Sequence, residues 1–296
     1  MTRRLAILTA ACTYTLLLAG GFVHSTGASL ACPDWPLCFG NFFPPMIGNI
    51  RFEHGHRLIA ATVGILTLIT AVLVWKKERP ALRPLAIAAV STVGIQIVLG
   101  GITVIFLLPD LVSTAHLAVG SAFFGMLIAL SIKISGRAPG EIPARLRGFI
   151  LAAAAATYAQ MVLGAFVRHT ESGLACLDVP RCHGEWFLPI STPQGLHMLH
   201  RIVSPAVLAL TASVLWLSRG QARVRGWALA AFLLATAQIL AGIFSVLTNL
   251  SLGSVMSHLA IAEALWGVWV VLSVSTTASP APRVVQSAAG PELSQA

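Results

Sequence analysis

Eight apolar segments, each of roughly 20 residues, run through almost the whole amino-acid sequence. A helix of that length crosses about 30 Å of hydrocarbon, and a helix satisfies its own backbone hydrogen bonds inside a bilayer. Only 10% of the residues are charged, against about a quarter in a soluble domain. The sequence therefore predicts an all-α integral membrane protein with eight transmembrane helices, at about residues 5–23, 55–75, 85–107, 112–134, 148–167, 196–217, 226–248 and 254–275.

The basic residues fall mainly on one side of these predicted helices. Of the 19 lysines and arginines, 14 lie on the side that carries the N-terminus. Because positively charged connections stay in the cytoplasm, we expect a multi-pass protein of the cell (plasma) membrane with both termini cytoplasmic. The two long loops, 24–54 and 168–195, are then outside. The formal charge of +9 reflects this asymmetry, and no nucleic-acid partner is expected.

The second half of the chain repeats the first. A shift of 144 residues places FVHSTGASLACPDWPLCFG (22–40) over FVRHTESGLACLDVPRCHG (166–184), with 10 of 19 positions identical, and His56-Arg57 over His200-Arg201. A shift of 142 residues places HLA at 116–118 over HLA at 258–260. This agreement indicates two copies of one unit.

Each copy contains four predicted helices. Because four is an even number, both copies enter the membrane in the same direction and are related by an axis along its normal. The predicted fold is two pseudo-twofold-related four-helix bundles. The expected units are an N-terminal bundle (1–135), a cytoplasmic linker (136–147), a C-terminal bundle (148–276) and a disordered cytoplasmic tail (277–296).

Four histidines recur in the repeat, each near the start of an even-numbered helix: His56, His116, His200 and His258. An ionisable side chain inside the membrane is costly and points to function. Two imidazoles that face each other across a four-helix bundle bind both axial positions of a haem iron, whereas zinc would need cysteine or carboxylate ligands at that depth. The pattern predicts two haem sites, one per bundle. Structural hydrogen bonds to neighbouring helices are the alternative.

Arg57 and Arg201 each follow one of these histidines directly. A guanidinium near the membrane surface pairs with a haem propionate, or it extends to the lipid headgroups as an anchor. The sequence favours neither role over the other.

The two halves differ beside their first histidines. The first half reads Glu53-His54-Gly55-His56-Arg57, and the second reads His197-Met198-Leu199-His200-Arg201. Residues three apart share a helix face, so Glu53 is predicted close to one haem only. There a carboxylate moves a proton or stabilises positive charge. The alternative is a charge at a helix start, favoured by the macrodipole. No ligand role is assigned to His54 or His197, and Glu263 in the last helix has no identifiable partner.

Each long loop carries two cysteines six positions apart, Cys32 with Cys38 and Cys176 with Cys182. Outside the cytoplasm paired thiols oxidise, so each loop is expected to contain a local disulfide. We interpret the second pair as a structural staple. For the first pair a staple and a redox-active disulfide are both open.

Together these residues resemble the haem A synthase family of bacteria and mitochondria. The likeness rests on STGASLACPDWPLCFG in the first loop, on the set Glu53, His56 and Arg57, on His116, and on the second-half counterparts His200 and His258. It runs from about residue 14 to residue 270. The cysteine pairs are similar to those of the Bacillus-type branch. Where the family has TGSG, this chain has TGAS at 26–29 and TESG at 170–173.

The resemblance implies an enzyme, a haem-dependent oxidoreductase that converts the C8 methyl group of haem O to the formyl group of haem A for terminal oxidases. By that likeness His200 and His258 bind a haem b cofactor, and His56 and His116 hold the substrate haem O. Glu53 matches the family's essential glutamate, and Cys32 and Cys38 match cysteines proposed to take part in the reaction. Expected partners are haem O synthase, cytochrome oxidase subunits and an electron-transfer partner.

Two other functions remain possible from the sequence. A di-haem electron-transfer cytochrome would hold two permanent haems and give Glu53 no role. A quinone-linked thiol oxidase would use the loop cysteines and leave the four membrane histidines unexplained.

Overall fold

The computed structural model describes residues 1–278, and this part of the chain contains eight long α-helices. All eight are long and apolar enough to cross a membrane, so the predicted all-α membrane fold is confirmed. The helices are α1 (Thr2–Ser25), α2 (Ile50–Lys77), α3 (Arg83–Ile105), α4 (Asp110–Ile134), α5 (Ala144–His169), α6 (Pro193–Leu217), α7 (Ala222–Leu247) and α8 (Leu252–Ser275).

Several helices begin before the apolar segment that predicts them. The helix α2 begins at Ile50, five residues ahead of the predicted start, and so includes Glu53. The helix α6 begins at Pro193, where Thr192 caps it by accepting a hydrogen bond of 3.1 Å from the Gly195 N–H. Proline and a capping threonine both favour a helix start. Hydropathy locates the apolar part of a helix, whereas the cap decides its first residue.

The helices pack into two sets of four. In the first set α1 and α3 each contact both α2 and α4, and in the second set α5 and α7 each contact both α6 and α8. The two sets meet where α4 packs on α5 and α8, and where α1 packs on α8. The contacts between the halves are as extensive as several contacts within them, so packing alone does not separate two units. The twofold relation of the halves stays a prediction.

Two equivalent tyrosines link the halves. The Tyr14 hydroxyl donates to the Ala260 carbonyl at 3.0 Å, and the Tyr158 hydroxyl donates to the Ala118 carbonyl at 2.8 Å. Both pairs are equivalent under the sequence repeat. A buried hydroxyl needs a partner, and each tyrosine finds it on a helix of the other half.

Glu263 lies at the same junction and is fully buried. Its Oε1 accepts a hydrogen bond of 2.6 Å from the Ser121 hydroxyl, and Trp266 donates to the Ser121 carbonyl at 2.8 Å. Ser121 is the repeat counterpart of Glu263. The structure therefore supplies the partner that the sequence does not identify.

A short parallel sheet joins the connection between the halves to the end of α8. Strand β1 (Gly140–Ile142) pairs with strand β2 (Thr276–Ala278). The first two residues of the predicted disordered tail, 277 and 278, are thus in a strand because they pair with the linker. The helix α5 also begins inside the predicted linker, at Ala144. Residues 279–296 of the tail lie outside the described residues.

We predict that Gly195→Ala destabilises the protein. A β-carbon at Gly195 would overlap the carbonyl group of Pro189, which is backbone and cannot rotate away. Overpacking of this kind costs about 1–3 kcal/mol, so the thermal midpoint in detergent should fall. The control is Gly253→Ala, also in the first turn of a helix, where nothing lies within 4 Å of an added β-carbon. An equal effect of the two substitutions would contradict the prediction.

Candidate functional site

The four repeated histidines occupy equivalent places in the structure. Each lies in the second or third turn of its helix, His56 in α2, His116 in α4, His200 in α6 and His258 in α8. At 1.5 Å per residue this is about 10 Å from the helix N-terminus. Each half therefore carries two imidazoles at a similar depth.

Each of these imidazole rings packs against a glycine of the preceding odd-numbered helix. A β-carbon built on the glycine would lie 2.9–3.4 Å from the ring Cε1 in all four cases, Gly20 with His56, Gly100 with His116, Gly164 with His200 and Gly242 with His258. An added β-carbon would force a shift at Gly164, require a smaller adjustment at Gly20 and Gly242, and be close to ordinary contact at Gly100. Hydropathy and the histidine pattern do not identify this role of the glycines. The glycines repeat at the same two shifts as the histidines, and that signal identifies them.

Glutamine side chains on neighbouring helices contact three of the four repeated histidines. Gln96 donates to the His116 carbonyl at 2.9 Å, and Gln160 donates to the His200 carbonyl at 2.8 Å. Gln238 Nε2 lies 3.3 Å from His258 Nε2. In the first half, the repeat counterpart of Gln160 is Leu16. His56 therefore lacks the amide contact that Gln160 makes with His200.

Several imidazole nitrogens at these positions have no hydrogen-bond partner. The Nδ1 atoms of His56, His116 and His258 are buried and unpaired within the described chain. A buried polar atom without a partner is costly. Hydrogen bonding at Nδ1 therefore does not account for these buried imidazoles, which fits a ligand-binding role such as that of a haem ligand.

Glu53 is buried at the start of α2, with 4% of its surface exposed. Its Oε2 accepts a hydrogen bond of 2.7 Å from the Cys32 backbone N–H. Its Oε1 forms an ion pair of 2.5 Å with Arg57. A charge-assisted contact on one oxygen and a backbone donor on the other hold the carboxylate in one orientation. The equivalent residue in the second half, His197, accepts from the Arg201 Nε–H at 3.3 Å.

The two arginines fasten the loops to the helices, a role that neither sequence interpretation foresaw. The guanidinium of Arg201 donates to loop carbonyls at 2.6, 3.1 and 2.6 Å, those of Asp178, Arg181 and Cys176. The guanidinium of Arg57 donates to the equivalent carbonyls of Asp34, Leu37 and Cys32. Tight loops leave carbonyl groups without backbone partners, and five N–H donors on one side chain satisfy several at once. Pairing with a propionate stays a prediction.

Both cysteine pairs form disulfides, which confirms the expected pairing. Cys32 is joined to Cys38 in the first cysteine loop (26–49), and Cys176 is joined to Cys182 in the second cysteine loop (170–192). All four cysteines are fully buried. The disulfide of the loop is therefore part of the repeated unit, as the helices are.

An aspartate orders the turn in each cysteine loop. The Asp34 carboxylate accepts hydrogen bonds from the backbone N–H groups of Gly40 at 2.8 Å and Phe39 at 2.6 Å. These bonds stabilise the charged form and hold the pKa of Asp34 below its usual value. The backbone N–H of His183 lowers the pKa of Asp178 in the same way. The loops therefore favour ionised aspartates at neutral pH.

These features define a class of protein. It is a multi-pass membrane protein of eight helices, with two histidines near helix starts in each half of the sequence and one disulfide in each of the two long loops. The model of the COX15-CtaA family, described as cytochrome oxidase assembly protein, matches residues 3–50 and 49–270. The chain belongs to this family.

Curated relatives cover nearly the whole chain. It is 31% identical over 283 residues to a protein named heme A synthase from Bacillus pumilus, covering 90% of this chain and 92% of the relative. It is 32% identical over 275 residues to a heme A synthase from Alkalihalophilus pseudofirmus, covering 88% and 92%. It is 32% identical over 280 residues to a heme A synthase from Symbiobacterium thermophilum, covering 86% and 90%.

We predict that Arg201→Ala loosens the second cysteine loop. The substitution removes three hydrogen bonds to loop carbonyls, and bonds to a charged group contribute about 1.5–3 kcal/mol each. The Cys176–Cys182 disulfide should then be reduced by dithiothreitol at least about tenfold faster, because 1.4 kcal/mol corresponds to a factor of ten. Alkylation of the released thiols followed by mass spectrometry measures the rate. Arg51→Ala, an exposed arginine outside this loop, is the control and should leave the rate unchanged.

Proposed function

We propose that the protein is a haem A synthase, which oxidises the C8 methyl group of haem O to a formyl group. The observation that carries the proposal is an asymmetry within a repeat. In both halves the imidazoles of the two repeated histidines pack against glycines, but three residues before the first of these histidines the first half has a carboxylate, Glu53, and the second half has His197. Membership in the COX15-CtaA family and the relatives named heme A synthase support the same activity.

The two halves have different tasks in this proposal. His200 and His258 would hold a haem b cofactor, and His56 and His116 would hold the substrate haem O. Haem b supplies one-electron transfer when it is bound. The Gln160 amide, whose Nε2 lies 3.0 Å from His200 Nδ1, supports a permanent cofactor in the second half, because an imidazole fixed through one nitrogen presents the other in a constant geometry.

Glu53 carries the chemistry that the chain itself contributes. Its carboxylate is held in one orientation by Arg57 and by the Cys32 N–H. We place this oriented carboxylate beside the substrate haem. As the methyl carbon is oxidised, its electrons pass to the electron-transfer partner and its oxygen comes from water or O₂. Glu53 accepts a proton released in this reaction, or stabilises positive charge that develops on the substrate. Arg57 is a positioning residue, since it acts on the substrate through Glu53. Cys32 contributes through its backbone N–H.

The location and partners follow from the same proposal. The protein resides in the cell membrane with its termini in the cytoplasm and both cysteine loops outside. Its substrate comes from a haem O synthase, and its product goes to cytochrome oxidase subunits. An electron-transfer partner completes the reaction.

A di-haem electron carrier is the main competitor, and pigment analysis separates the two functions. Extraction of the purified protein followed by chromatography should yield haem O or haem A in addition to haem b. Haem b alone in both halves would favour the electron carrier. A thiol oxidase would instead retain its activity after replacement of His56, His116, His200 and His258 together.

Glu53→Gln should abolish product formation while haem b stays bound. The amide keeps the size of the side chain but loses the charge. A positioned acid or base contributes about 10²–10⁴-fold, so we expect haem A formation to fall by at least about 100-fold. Chromatography of extracted haems measures the product, and the reduced absorption spectrum measures haem b. Glu171→Gln, at an exposed loop glutamate, is the control. Full activity of Glu53→Gln would refute the role.

Gly164→Ala should deplete haem b in the second half. The added methyl group would lie 2.9 Å from the His200 ring and push it out of position. We expect a clear loss of haem per polypeptide in a pyridine haemochrome assay. Gly148→Ala on the same helix meets no atom within 4 Å and should keep its haem. Equal haem contents would argue against His200 as a ligand.

A further inference from the structure

The disulfide of the first cysteine loop lies against an unpaired histidine. Cys32 and Cys38 are fully buried, and His54 is 4% exposed. Neither ring nitrogen of His54 has a hydrogen-bond partner in the described chain. One ring nitrogen and both Sγ atoms lie within 4.8 Å of one another. A buried imidazole without partners is costly, so its position beside two sulfur atoms calls for a chemical explanation.

The second cysteine loop shows what packing alone requires. There the counterpart of His54 is Met198, which is 1% exposed and packs against Cys176 and Cys182. A thioether fills this space without a polar group to satisfy. The loop therefore closes over an apolar side chain in one half, and the imidazole in the other half exceeds the needs of packing.

We propose that, once the Cys32–Cys38 disulfide is reduced, both thiolates and His54 bind one thiophilic divalent cation, for which Zn²⁺ is the probe. A dithiol reductant supplies the two electrons and two protons. The S–S bond breaks, two thiols form, and the dithiol becomes a disulfide. The cation then displaces both thiol protons to solvent. Disulfide and metal are alternative closures of the same loop.

The donor set and charge suit this cation. Zinc binds thiolate sulfur at about 2.3 Å and imidazole nitrogen at about 2.0 Å, so ligand atoms already within 4.8 Å of one another need only a small rearrangement. Two thiolates cancel the charge of a divalent ion, which favours it in a buried place. Three protein ligands leave a fourth position open, as in catalytic zinc sites.

The proposed metal site would lie close to Glu53, in the half that we assign to the substrate. The Cys32 N–H donates to Glu53, so the closure of the loop, by disulfide or by metal, is transmitted to the carboxylate. The proposal itself does not depend on haem chemistry, because its ligands and its readout belong to the loop alone.

The test compares oxidised and reduced forms of the full-length, haem-loaded protein. A Cys176→Ser, Cys182→Ser background leaves the first pair as the source of thiols in the two loops. After treatment with dithiothreitol and its anaerobic removal, Zn²⁺ is titrated in competition with a chromophoric chelator. The reduced protein should bind one more equivalent than the oxidised protein. Zinc bound at other histidines is present in both forms and cancels in this comparison. Equal binding by the two forms would overturn the proposal.

Two exchanges between the halves supply matched variants. His54→Met copies the second half and should weaken Zn²⁺ binding at least tenfold, whereas Met198→His in the otherwise native chain should add a second reduction-dependent equivalent. Unchanged affinity in His54→Met would also overturn the proposal. Should His54→Met lose its haem and so prove misfolded, Co²⁺ added to the reduced native protein decides. A thiolate-to-cobalt absorption band that disappears on oxidation supports the site, and its absence contradicts it.

Discussion

The close approach of an imidazole to a helix backbone is the contact on which the site depends. Inside hydrocarbon a histidine needs space for its ring and a partner for its nitrogens. Glycine provides the space, because a β-carbon at Gly20 or Gly164 would press on the ring that now lies there. The helices can therefore pack tightly and still enclose four polar rings, three of which have a buried Nδ1 without a hydrogen-bond partner in the described chain.

Duplication explains the features that the two halves share, and divergence between the copies gives each half its own set of side chains beside the repeated histidines. The helices, histidines, glycines, disulfides and loop arginines are shared by both halves. The differences are concentrated beside His56, where Glu53 replaces His197, His54 replaces Met198 and Leu16 replaces Gln160. The second half thus holds its histidines with more amide contacts, and the first half has a carboxylate and a further imidazole just before His56. This contrast is the basis on which we propose different tasks for the two halves.

The cysteine loops are part of the site because the arginines bind them to the helices. Arg57 contacts the loop and Glu53 at once, so the loop conformation and the carboxylate position are coupled. Spacing along the sequence correctly places Glu53 and Arg57 on the helix that carries His56. It does not reveal the loop contacts, because the carbonyl groups become acceptors only after the loop folds back over the helix start.

The sequence by itself determined the eight helices, the duplication, the two disulfides and which four histidines recur. The length of an apolar segment, the recurrence of a motif and the type of a residue can all be read without knowing how the chain packs. Tertiary structure decided which atoms meet. It turned the arginines toward loop carbonyls, gave Glu263 its partner Ser121 across the two halves, and set His54 beside the first disulfide. These contacts join residues far apart in the chain, and only the packing of helices and loops brings them within bonding distance.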